Sequence, residues 1–139
     1  MEVTNPVVVI DGVTYEAQPA TIRKTVLGTE DAPCMTFWLF TEWPGGGIGV
    51  GGYTLDDRPA VSQYDRRPSL LAGAVISETL RVVGVSSWEA LPGKRVHVLF
   101  DKSKGGSIIG STASGIADAD LTRSVVWQSF ISNLIEVTA

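Results

Sequence analysis

Residues 69–84 read SLLAGAVISETLRVVG, and this stretch decides the fold. Leu71, Ala74, Val75 and Val82 recur at helical spacing, and Ile76, Leu80 and Val83 widen the same face. Ser77, Glu78 and Arg81 supply the polar side. Ser69 suits an N-cap and Gly84 a left-handed C-cap, so a helix is predicted over residues 69–83. No other segment carries so clear a helical period. The predicted architecture is therefore α+β: a mostly antiparallel twisted sheet, or partly open β-barrel, with one amphipathic helix packed on it.

After the helix, Trp88 to Leu91 reads as a turn and Pro92-Gly93 as a turn dipeptide. Arg95 to Phe100 alternates through Val96, Val98 and Phe100 and marks a strand, with Lys102–Gly106 as a hairpin turn and Ser107–Ala113 returning. The tail, residues 121–137, fits either a helical stripe or an extended segment. Before the helix, Asp56 to Pro68 (DDRPAVSQYDRRP) is polar and aperiodic, which predicts a mobile loop over 56–68. Further back, Ile48–Leu55 (IGVGGYTL) and Cys34–Thr41 (CMTFWLFT) read as strands hinged at Pro44 and the Gly45–Gly47 triplet. Ala20–Leu27 alternates with Ile22, Lys24 and Val26 on one face. Val7–Ile10, Asp11-Gly12 and Val13–Tyr15 form a hairpin on a type I′ turn. No repeat or linker divides residues 1–139, so one domain is expected.

The 139 residues carry a formal charge of −4, and 44% are hydrophobic against 19% charged. That balance suits a globular core and excludes disorder throughout. Eleven scattered Lys and Arg form no basic stripe, which argues against duplex nucleic acid as a partner. The start, Met1-Glu2-Val3-Thr4-Asn5-Pro6, has no basic leader, and the apolar runs fall short of the ~20 residues of a membrane span. One cysteine, Cys34, and one histidine, His97, give no disulfide and no metal ligand set.

The chemical motifs are sparse. Gly47-Ile48-Gly49-Val50-Gly51-Gly52 spells G-x-G-x-x-G, but strand rather than helix follows it, so no dinucleotide fold and no cofactor are expected. His97, between two valines, reads as an exposed or edge imidazole. Asp56-Asp57 and Asp118/Asp120 are explained by turn chemistry, so no catalytic residue is assigned and no enzyme is expected. The best ligand contacts are Arg66 and Arg67 beside Tyr64, with Gly51, Gly52 and Tyr53 on the glycine strand. Guanidinium groups hold phosphate bidentately, tyrosine stacks on a base, and glycine admits close approach. Within the C-terminal segment 121–139, Val125 to Ile135 holds more apolar surface than a lone tail hides, which points to a homo-oligomer.

Gly51-Gly52-Tyr53-Thr54-Leu55-Asp56 and Arg81-Val82-Val83-Gly84-Val85-Ser86-Ser87-Trp88-Glu89-Ala90-Leu91-Pro92-Gly93-Lys94-Arg95-Val96 resemble a family of small tailed-phage and prophage proteins with GGY-x-LD and VVGV-x-xWE-x-L-x-GK segments. The chain departs from it at Glu30-Asp31-Ala32-Pro33 and Gly49-Val50-Gly51. The resemblance implies a phage accessory protein acting in the host cytoplasm. It would act by binding, and counter-defence sequestration of a nucleotide-type signal is the sharpest form. An inhibitor of a host protein, docking through Trp43, Trp88 or the aromatic tail, and a minor virion component are the alternatives.

Overall fold

A computed structural model describes residues 4–29, 35–55, 70–104 and 113–138. Strands β1 (Val7–Ile10) and β2 (Val13–Gly28) are joined at Asp11-Gly12, whose φ values of 50° and 79° are the left-handed pair that a type I′ turn needs. β3 (Thr36–Trp43) and β4 (Gly46–Thr54) meet at Pro44-Gly45. Helix α1 (Leu70–Val83) follows, then a 3₁₀ turn at Trp88–Ala90 and strands β5 (Arg95–Asp101), β6 (Ala113–Asp118) and β7 (Ser124–Val126). Helix α2 (Trp127–Thr138) comes last. The seven strands are antiparallel in the order β4-β3-β2-β5-β6-β7, with β1 also on β2. The sheet stays open but curls until β4 approaches β6.

The concave side holds the core: Ile22, Phe37, Leu39, Val50, Val96, Val98 and Ile116 meet Val75 and Val82 of α1 and Trp127 of α2. A smaller cluster of Tyr15, Ala17, Leu99 and Ala117 lies apart from it, flanked by Val8, Ile10 and Val13. α1 ends as predicted at Gly84, with φ 87° and its N–H donating to the Leu80 carbonyl at 2.8 Å. Its 14 residues rise only ~21 Å. It serves as a core helix, burying Val75, Thr79 and Val82.

Several strand details differ from the sequence reading. β2 runs unbroken through Pro19, where two separate strands were expected. The Ala17 N–H donates to Pro6 on the β1 side and the Ile22 N–H to Lys94 on the β5 side, so Pro19 faces its missing donor to the β1 side. There β1 has ended and β3 has not begun, and proline is tolerated. A bulge at Arg23 then reverses the alternation. Thr25 and Leu27, not Val26, pair with core residues Leu39 and Phe37 and share the face of Ile22. The ambiguous tail splits into β7 and α2. The described strand after the Lys102 turn is Ala113–Asp118, whereas most of the expected Ser107–Ala113 strand, the 56–68 loop and the Ser69 cap lie outside the described residues.

Candidate functional site

The six predicted ligand residues divide. Tyr64, Arg66 and Arg67 lie outside the described residues, while Gly51, Gly52 and Tyr53 form one feature of β4. Thr36 pairs with Thr54 but Trp38 pairs with Gly51, so β4 carries one extra residue there. Gly51 and Gly52 adopt φ 113° and 79° to make this bulge. A Cβ at Gly52 would sit 2.5 Å from the Trp38 ring, and one at Gly51 would sit 2.7 Å from the Phe37 carbonyl. The extra residue turns Tyr53 to the core side, where its ring lies 6.3 Å from Phe37 and 6.0 Å from Trp127. Burial holds its phenol pKa above the ordinary value, so it stays protonated. These glycines seat aromatic rings, and Tyr53 packs with the core.

A different set of side chains converges at the far end of β3. Thr21 on β2 pairs with Glu42 on one side and Arg95 on the other, and Pro19 pairs with His97. Paired residues share a face and alternate residues repeat it. Glu42, Thr21, Arg95 and His97 therefore all stand on the face opposite Val96 and Val98. With Trp43 and Pro44 of the hairpin they line an open cleft of about 400 Å³. Arg95 and His97 are two apart on one strand and were legible as neighbours. Their meeting with Glu42 and Trp43 depends on register and gave no signal in the sequence.

The groups of this cleft differ in freedom. Arg95 is exposed and carries no side-chain hydrogen bond or ion pair among the described residues. Glu42 reaches Arg23 only at 3.9 Å, with both side chains more than half exposed, so that pair is weak. Trp43 is half-buried, its ring set edge-on to Phe100 at 6.5 Å. His97 corrects the expectation of an exposed imidazole: it is 9% exposed, because β5 is covered on both faces. Its Nδ1 lies 2.9 Å from the Asp118 carbonyl, which only accepts, so Nδ1 carries a proton and the ring is oriented.

Asp118 is buried but engaged elsewhere. Its carboxylate accepts from the Thr122 N–H at 2.8 Å, the Thr122 hydroxyl at 2.6 Å and the Arg123 N–H at 3.1 Å, and pairs with the Arg123 guanidinium at 3.3 Å. Burial alone would raise its pKa, but these hydrogen bonds and the guanidinium outweigh burial and hold it below the usual carboxylate value. The turn-chemistry reading of Asp118 accounts for all of this. Arg123 also donates to the Val82 carbonyl at 3.3 Å, tying the β6–β7 turn to the end of α1.

Chemically, the cleft offers a guanidinium with no partner among the described residues, a carboxylate and an oriented imidazole, while the Trp43 ring in its lining packs on Phe100. No group of three metal-ligating side chains occurs among the described residues. An exposed guanidinium can hold an anionic group through charge-assisted hydrogen bonds. No protein-family model, curated protein or solved structure matches the chain.

Proposed function

We propose that the protein is a non-enzymatic binding protein whose ligand is a small anionic molecule of nucleotide type, held in the cleft between the β3–β4 hairpin and β5. The observation carrying this reading is Arg95. On a chain of charge −4 it stands unpaired among the described residues, at the mouth of a cleft walled by Trp43 and backed by His97. A guanidinium in that position is available to a phosphate. Taken with the phage resemblance, this favours sequestration of a nucleotide signal in the host. Tyr64, Arg66 and Arg67 remain further candidate contacts.

The test is binding of mono- and dinucleotides to the purified chain by calorimetry, alongside native mass spectrometry of the protein as isolated. A nucleotide that binds, with affinity falling at least about tenfold in Arg95→Ala, is expected for loss of one charge-assisted contact. Arg23→Ala, outside the cleft, leaves affinity within about twofold. If no nucleotide binds while a host protein co-purifies at equal stoichiometry, the inhibitor reading replaces this one.

A further inference from the structure

The two ends of the main strand order, β7 and β4, differ. At one end β7 is three residues long and runs directly into α2. A short strand so covered is a protected edge. At the other end β4 is nine residues, Gly46–Thr54, and among the described residues pairs with β3 along one side only. Its other side makes no backbone hydrogen bond to any described segment. The strand contains no charged residue and no proline, two of the devices that ordinarily stop an edge from pairing, and its bulge at Gly51-Gly52 lies beyond the stretch Gly46–Val50.

The hairpin sets which groups face outward. Trp43 and Gly46 close a two-residue turn and are therefore a hydrogen-bonded pair, and such pairs alternate along an antiparallel ladder. Thr41 with Ile48 and Leu39 with Val50 continue the series. The N–H and C=O groups of Gly47 and Gly49 then point away from β3. Neither residue has a side chain to shield them. The rings over this strand, Phe40 at 3.2 Å and Trp38 at 3.4 Å from a Cβ at Gly49, lie on its face.

We propose that β4 pairs antiparallel with β4 of a second copy about a two-fold axis at Ile48, setting Gly47 opposite Gly49 of the partner subunit. A second copy fits better than a foreign peptide for three reasons. Antiparallel pairing of a strand with itself is isologous and needs no other surface. Each copy carries −4, and this uncharged edge is where two copies approach with least repulsion. A peptide added to an edge gains specificity from side-chain pockets, which a glycine run does not supply.

The experiment is light scattering after size exclusion on the full chain, with reductant present so that Cys34 cannot cross-link copies. The expected mass is twice 14.8 kDa. Gly49→Pro removes one outward donor while sparing the bonds to β3, and is expected to run at 14.8 kDa. Should that variant fail to fold, hydrogen exchange on the wild type decides. The Gly47 and Gly49 amides exchange at least tenfold more slowly at about 100 μM than after about 100-fold dilution, by mass action. A monomer at the higher concentration overturns the proposal. So does a dimer in which those two amides exchange freely or that persists in folded Gly49→Pro.

Discussion

Asp118 shows how much one side chain can organise. Its carboxylate holds Thr122 and Arg123, its carbonyl holds His97, and Arg123 in turn holds Val82, so the turn, the cleft wall and the helix end share one anchor. Because its folded-state pKa is depressed, the stability it contributes is present above the unfolded carboxylate value of about 4 and lost as pH falls through the folded value. Asp118→Asn should therefore melt below the wild type at neutral pH, by roughly 1–3 kcal/mol for the weakened buried contacts. The gap should close as pH is lowered from about 5 towards 2. Melting curves of both proteins across that range test this, and a gap constant with pH would contradict it. The sequence identified Asp118 as a turn residue, since aspartate before Ala119-Asp120 suits local hydrogen bonding. Its link to His97, 21 residues away, was invisible because it passes through the β5–β6 register.

At the scale of elements, α1 was the most legible and β4 the least. A helix advertises itself by local period, and Leu70–Val83 lies within one residue of its prediction. The glycine strand was read as a strand, but one extra residue at Gly51-Gly52 reverses which side chains face the core. Tyr53, read as a ligand contact, thereby joins Phe37 and Trp127. The bulge makes a specific demand on Gly52, where a methyl group would meet both the left-handed φ of 79° and the Trp38 ring. Gly52→Ala is expected to lower stability by about 1–3 kcal/mol, read as a reduced urea midpoint. An unchanged midpoint would mean that the strand has no bulge at this position.

For the whole molecule, the decisive contact joins the last helix to the first hairpins. Trp127 is fully buried, 5.3 Å from Phe37, and its indole N–H donates to Thr79, whose hydroxyl donates to the Val75 carbonyl. Phe130 and Ile131 pack on the same core. Trp127→Ala should cost about 3–5 kcal/mol, a large part of the 5–15 typical of a domain. The check is equilibrium urea unfolding, and a loss below about 1 kcal/mol would show that α2 is dispensable to the fold. The sequence by itself determined the α+β class, the β1–β2 and β3–β4 hairpins and the extent of α1, because periodicity, turn residues and caps act over a few positions. Only the tertiary structure decided the bulges at Arg23 and Gly52, the passage of β2 through Pro19, and the cleft that brings Arg95 beside Glu42 and Trp43. Each depends on which residue of one strand stands opposite which residue of another, and pairing at that range is settled by the packing of a common core.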